Sequence, residues 1–141
     1  MKRIALWLIA VAVVSGVVAA RAQTSTPTNE PPAKLIVDDP VPELLARGVV
    51  WITWRAENVN IGPMSGKDAL SASPRVGHLH IHVDDLPWLW ADMSTNPIDV
   101  ALLPPGQHKI RIELVNAIHQ GVPDQSKTVT FTIPKGGSPS Q

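Results

Sequence analysis

Apolar and polar residues alternate along several short segments of this chain, and the alternation limits the folds open to it. In residues 76–84 the apolar residues Leu79, Ile81 and Val83 occupy every second position, and residues 108–115 and 127–133 repeat the spacing. Successive side chains of a β-strand point to opposite faces, so a period of two residues predicts strands with one buried face; a helix would repeat at about 3.6 residues. The sequence therefore predicts an all-β domain.

Further strands are predicted at 34–38, 49–59 and 98–102. Pro- or Gly-containing breaks separate the strands: GPMSG at 62–66, SASP at 71–74, NP at 96–97, LPPGQ at 103–107 and GVPDQ at 121–125. Helix is expected only as a turn around Pro42–Ala46 or Leu86–Met93. About six to seven short antiparallel strands with turn signals between them are typical of a β-sandwich or a small barrel.

The first 22 residues have the pattern of a bacterial secretory signal peptide. Lys2 and Arg3 precede an apolar run, and Ala20 and Ala22 are small residues at the −3 and −1 positions of a cleavage site after Ala22. The run covers only residues 4–20, at the short end of the ~17–25 residues that a membrane-spanning helix needs. We therefore expect a signal helix that is removed, no stable membrane anchor, and a periplasmic or secreted chain starting at Gln23.

Composition excludes several classes of function. Removing Lys2, Arg3 and Arg21 from the 12 basic residues leaves 9 against 12 acidic ones, a net charge of −3 that gives no reason to expect a nucleic-acid partner. The absence of Cys excludes disulfides, thiol catalysis, thiolate zinc sites and blue-copper chemistry. Polar composition predicts a flexible leader at 23–33 and a disordered tail at 135–141, which leaves one domain at 34–134.

Three histidines, His78, His80 and His82, share one face of the strand at 76–84. Their Cβ atoms are expected roughly 6.5–7 Å apart from one to the next, close enough for neighbouring imidazoles to share an ion such as zinc or copper. A complete site needs a further ligand from another segment. The candidates are His108, which lies directly after the LPPGQ turn at the start of the strand at 108–115, and His119, which lies after the end of that strand. The alternative is a hydrated strand face without a ligand.

Each neighbouring candidate also has a structural interpretation. His108 is in phase with Ile110 and Ile112 and could be a core-edge histidine bonded to a backbone carbonyl. Asp84 and Asp85 precede Leu-Pro, which favours a turn over a ligand role. Trp88 and Trp90 could form an amphipathic pocket beside the histidine row, or could pack at the core edge.

Two family resemblances follow from these motifs. WRAEN at 54–58, GHLHIHVDD at 77–85, PWLWAD at 87–92, LPPGQHKIRIEL at 103–114 and the later His119 together resemble an uncharacterised family of exported bacterial domains. This resemblance implies an immunoglobulin-like sandwich in the cell envelope and carries no assigned activity. A weaker likeness is to cupins, whose metal ligands would correspond to His78, His80, Asp84 and His108, with Asp in place of the usual Glu.

The function expected from the sequence is an exported, non-enzymatic module that binds zinc, copper or a small polar ligand through its histidine-rich strand. No Gly-x-Ser-x-Gly elbow or complete phosphate-binding loop occurs in the chain. Two alternatives remain open: a cupin-like metal-dependent enzyme, and a structural domain that binds an envelope protein partner without a ligand.

Overall fold

Strands make up about half of residues 29–136, and the helical segments in this range are short. The computed structural model describes residues 29–136; the predicted signal peptide, residues 23–28 and residues 137–141 lie outside that range. The strands are β1 Lys34–Val37, β2 Val49–Ile52, β3 Trp54–Glu57, β4 Asn60–Ile61, β5 Val76–Val83, β6 Trp90–Asp92, β7 Ile98–Ala101, β8 Gly106–Asn116 and β9 Gly121–Ile133. The helical segments described are α1 Pro42–Leu45 and a 3₁₀ turn at Lys67–Ser71. The prediction of an all-β domain is confirmed, although the described strands outnumber the six or seven expected.

The strands form one larger sheet and two small ones. The larger sheet has the order β4-β5-β8-β9, with β6 also paired to β5, and the small sheets are β1-β3 and β2-β7. The pairings are antiparallel except for the two-residue contact of β4 with β5. The apolar side chains with period two form one buried cluster that includes Val50, Ile52, Leu79, Ile81, Val83, Ile98, Ile110, Ile112, Leu114, Val129, Phe131 and Ile133.

The segment predicted as one strand at 49–59 changes partner in its middle. Its first part, β2, pairs with β7, and its second part, β3, pairs with β1. At the change, the Thr53 carbonyl accepts a hydrogen bond from the Asp38 amide, and the Thr53 hydroxyl donates to the Asp38 carboxylate at 2.7 Å. The two bonds extend the β1–β3 ladder by one residue pair, up to the end of β2.

The break predicted at GVPDQ lies inside β9. Glu113 pairs with Ser126, while Val115 pairs with Gly121, so residues 122–125 form a bulge on β9. Pro123 has no amide hydrogen to donate to a ladder, and prolines within sheets are typically confined to bulges and edges. The composition of this segment therefore predicted the interruption of pairing but not the continuation of the strand on either side.

Two other segments differ from their expected structure. The turn of helix considered for Leu86–Met93 is absent: the segment is a loop that ends in strand β6. Within the predicted leader, Ala33 is 4% exposed, and the Glu30 carboxylate lies 3.1 Å from the Arg75 guanidinium. The ordered contacts of the domain therefore begin a few residues before residue 34.

Candidate metal site

Three histidines meet on the outer face of the larger sheet. His78 and His80 project from β5, and His119 lies in the turn between β8 and β9. His78 Nε2 lies 3.3 Å from His80 Nε2 and 3.2 Å from His119 Nδ1, and His80 Nε2 lies 3.0 Å from His119 Nδ1. We call these three residues the histidine cluster; one ring nitrogen from each forms a small triangle.

Asn116 organises the turn that carries His119. Its Oδ1 accepts hydrogen bonds of 3.0 Å from the amides of Ile118 and Gln120, and its carbonyl accepts one from the His119 amide. Asn commonly stabilises turns in this way, by bonding the backbone two residues further on. The turn is also held from outside, because the Gly66 amide donates to the Ala117 carbonyl at 2.8 Å. The sequence did not predict this role of Asn116, because the residue that follows it is Ala117 and the next Gly is Gly121.

His119 has a left-handed backbone, with φ of 63°. This conformation costs an ordinary L-residue about 1–2 kcal/mol because of the Cβ atom, and Gly or Asn adopts it more readily. Histidine is therefore not the residue that the turn itself favours. Unfavourable backbone conformations of this kind cluster at functional sites.

The three rings of the cluster differ in their exposure to solvent. His78 is fully buried, His80 is intermediate and His119 is exposed. Burial lowers the pKa of His78, and the neighbouring imidazoles of His119 and His80 lower it further. Burial and then His119 also lower the pKa of His80, against the raising effect of the Glu113 carboxylate. The rings of His78 and His80 are therefore neutral at pH 7, which is the form of His that binds metals.

Hydrogen bonds among the three rings cannot account for the triangle. A ring nitrogen of neutral imidazole either carries a proton and donates, or carries a lone pair and accepts. With three nitrogens in mutual contact, at least one pair must therefore place two lone pairs or two N–H groups against each other. His78 has no other polar contact, since its Nδ1 is buried without a partner among the described residues. A cation between the three nitrogens turns all three lone pairs into favourable contacts.

Comparison with known sequences now gives the chain a family. A family described as "Family of unknown function (DUF6130)" matches residues 4–141. The chain belongs to this family. No curated protein and no solved structure matches it. Within residues 29–136 of this DUF6130 member, no helix has the length and apolar character needed to cross a membrane.

His82, the third histidine of the β5 row, is directed to a different partner in this DUF6130 chain. Its Nε2 lies 2.8 Å from Arg111 Nη2, and Arg111 Nη1 donates to Glu113 Oε2 at 2.9 Å. Because guanidinium can only donate, His82 Nε2 must accept, and its lone pair is already used. Burial and then the Arg111 charge lower the pKa of His82. Equal spacing along the strand therefore does not give the three histidines equal roles.

His108 lies on the inner side of the sheet, away from the histidine cluster. Its Nδ1 donates to Asp84 Oδ2 at 2.8 Å and its Nε2 donates to the Pro104 carbonyl at 2.8 Å. Both partners are acceptors, so both nitrogens carry protons; the bond to Asp84 raises the pKa of His108 against the lowering effect of burial. The residues proposed by analogy with cupins thus separate into two groups, with His78 and His80 in one and Asp84 and His108 in the other.

Asp84, the acidic member of this ion pair, directly follows the last residue of β5. It has a left-handed φ of 50°, and its Oδ1 accepts a hydrogen bond from the Lys109 amide at 2.9 Å. Burial raises the pKa of Asp84, but the bonds from the Lys109 amide and His108 outweigh it, so that the pKa lies below its usual value. Asp85 is 90% exposed and pairs with Lys109 Nζ.

The two indoles considered as ligand contacts have different environments. Trp90 packs against the core cluster, whereas Trp88 is 54% exposed in the loop after β5. Trp90 lies in β6 opposite Ile81, so it shares the inner face of the sheet and not the outer face of His78 and His80.

Proposed function

We propose that this protein is an exported, non-enzymatic β-sandwich module of immunoglobulin-like type that binds a divalent transition metal, zinc or copper, through His78, His80 and His119. The observation that carries the proposal is the triangle of three imidazole nitrogens 3.0–3.3 Å apart. Two imidazoles on one tetrahedral zinc, at about 2.0–2.1 Å each, have nitrogens about 3.3 Å apart. The spacing fits a shared ion, and the mutual contact of all three nitrogens suits an ion better than hydrogen bonds, which cannot satisfy every pair.

The type of donor supports zinc or copper rather than calcium or magnesium. The three candidate ligands are imidazole nitrogens, and imidazole suits zinc, copper and nickel, whereas hard cations prefer oxygen. The chain has no Cys, so thiolate cannot complete the site.

Metal titration tests the proposal. Zinc or copper(II) is added to the metal-free mature protein at pH 7 in competition with a chromophoric chelator. We expect one ion per chain with Kd below about 100 µM, equivalent to about −5.5 kcal/mol. The variant His119→Asn removes one ligand and should lose at least tenfold in affinity, about 1.4 kcal/mol.

The matched control is His82→Gln. His82 shares the strand and the face of His78 and His80 but contacts Arg111, so this variant should bind zinc as the wild type does. Equal loss of affinity in His82→Gln and His119→Asn would show general adsorption to a histidine-rich surface. Wild-type binding weaker than about 100 µM would reject the metal site.

Export is tested separately by the mass of the protein recovered from cells. The basic start, the apolar run and Ala20-Arg21-Ala22 support cleavage after Ala22. Intact-mass spectrometry of the periplasmic or secreted fraction should give a chain beginning at Gln23. Recovery of the full-length chain from the membrane fraction would contradict cleavage.

A further inference from the structure

The histidine cluster offers a metal ion three protein ligands. Among residues 29–136, His78, His80 and His119 are the group of side chains whose ligand atoms lie within 4.8 Å of one another, and no carboxylate belongs to it. Structural zinc sites usually have four protein ligands, whereas sites with three keep the remaining position for water or an exchangeable ligand. We propose that a metal held by this cluster carries an exchangeable position that binds a small monodentate anion. This inference rests on the metal site proposed above.

The shape of the nitrogen triangle supports an open position. Its sides of 3.0–3.3 Å lie between the values for two ligands of a tetrahedral ion, about 3.3 Å, and of an octahedral ion, about 2.9 Å. At the usual metal–nitrogen distance of about 2.0–2.1 Å, the three nitrogens would all hold the ion from one side. The three rings therefore occupy one face of the coordination sphere. In either geometry the opposite side requires at least one ligand from outside the cluster.

The burial of the three rings indicates how an external ligand reaches the ion. His78 is fully buried and His119 is exposed, so the cluster is closed to solvent on the side of His78 and open on the side of His119. The neighbouring side chains on the open face form hydrogen bonds with one another. Arg111 binds both His82 and Glu113, at 2.8 and 2.9 Å. Neither His82 nor Glu113 is therefore available as the missing ligand without breaking this network.

The charge of the site favours an anion over a neutral ligand. A divalent ion bound by three neutral imidazoles retains its two positive charges. The nearest carboxylate on this face, Glu113, lies opposite His80 on β8, and its charge is already matched by Arg111. An anion in the open position reduces the uncompensated charge at the metal, whereas a neutral ligand does not. The expected ligand class is therefore a small monodentate anion, for which azide is a convenient probe.

Cobalt(II) is the appropriate test metal, because its visible spectrum reports coordination number and ligand exchange. The mature protein is loaded with one equivalent of cobalt at pH 7, and sodium azide is added in large excess. We expect the visible bands of the complex to shift along a saturable curve with one azide per cobalt. In His119→Asn, which lacks one ligand, this curve should be lost; in His82→Gln it should be retained.

The outcomes separate this inference from the metal site itself. Cobalt(II) binds more weakly than copper or zinc to the same donors, so the zinc and copper titrations decide the metal site: if neither ion binds, the site is rejected and the open position with it. If cobalt binds at one equivalent but azide leaves the spectrum unchanged, the metal site stands and the open position is rejected. Sedimentation velocity is run on the same samples. A metal-dependent dimer would mean that a second copy of this chain supplies the missing ligand, which also overturns the inference.

Discussion

At the scale of single residues, His119 combines an unfavourable backbone with a side chain directed at two other histidines. Its φ of 63° is the conformation in which Asn or Gly would be expected, and its ring nitrogen lies 3.0–3.2 Å from those of His80 and His78. Neither feature stabilises the turn or the cluster in the absence of a ligand. Stability and ligand binding therefore place opposite demands on this position.

Replacement of His119 by Asn separates these two demands. Asn tolerates a left-handed backbone better than His, so we expect the free energy of unfolding of the metal-free protein to stay the same or to rise by up to about 1 kcal/mol. Zinc affinity should fall at least tenfold, about 1.4 kcal/mol. Urea denaturation and chelator competition on one preparation measure both. A loss of more than about 1 kcal/mol of stability would instead assign His119 a structural role.

At the scale of secondary structure elements, strand β5 and the β8–β9 turn together position the cluster. Period two places His78 and His80 on the outer face of β5, and the pairing of His78 with Val115 brings them beside the end of β8. The side chain of Asn116 then folds residues 116–120 back over the sheet. The two elements require different tests, one of the turn and one of the strand pairing.

The turn is tested by Asn116→Ala. Two amides lose their acceptor, so the free energy of unfolding should fall by about 1–3 kcal/mol, and zinc affinity should fall by about tenfold through His119 although no ligand is changed. The control is Gln120→Ala. The Gln120 side chain contributes a single contact of 3.2 Å with Asn116 and should cost less in both measurements. Unchanged zinc affinity in Asn116→Ala would show that His119 reaches the cluster without help from Asn116.

The pairing of β5 with β8 is tested by Gly77→Ala. A Cβ at Gly77 would lie 2.5 Å from the Val115 carbonyl oxygen, a backbone atom that cannot move without disturbing the ladder. We expect destabilisation of about 1–3 kcal/mol or more, measured by thermal unfolding. At Gly121 the added atom would meet only the end of the Glu113 side chain, at 2.6 Å. Gly121→Ala should therefore cost clearly less, and equal costs would contradict this account.

The elements show which parts of the structure were accessible from sequence. Alternation at Leu79, Ile81 and Val83 predicted β5 and its buried face, because pleating alone determines that pattern. It also placed His78 and His80 together. It could not show whether His119 or His108 lies beside them, because that depends on the turn at Asn116. It also could not show that His82 stands apart from the cluster, because that depends on Arg111 of another strand. Contacts between strands have no local signature in a single sequence.

At the scale of the whole molecule, its histidines respond to pH in opposite directions. The pKa values of His78, His80 and His82 are lowered mainly by burial, whereas the bond to Asp84 raises the pKa of His108. A lowered value means that the unfolded chain binds the proton more tightly, so stability falls as pH decreases from about 6.5 through the folded pKa. The contribution of His108 is present below about pH 6.5 and is lost as pH rises through its own folded pKa.

Three histidines have a lowered pKa and one has a raised pKa, so the metal-free protein should be less stable in weak acid than at neutral pH. Urea denaturation in the presence of a chelator, at pH values on either side of about 6.5, measures this difference. Asp84 does not interfere, since its pKa lies below its usual value and its contribution is lost only in stronger acid. In His119→Asn the acid sensitivity should be smaller, because one neighbour that lowers the pKa of His78 and His80 is gone. Equal or greater stability in weak acid would show that the His108 pair dominates.

The gradient of burial across the histidine cluster has a consequence for the rate of metal exchange. An ion approaching from solvent meets the exposed His119 first, then His80, and reaches the buried His78 last. In the proposed site, capture would therefore begin at the most accessible ring, whereas escape would require the bond to the buried His78 to break and would be easier if the turn of residues 116–120 moved outward. That turn is held by Asn116 and by the Gly66 amide. For the site proposed here, the movement of that turn and the strength of the bond to His78 would together set how long an ion stays.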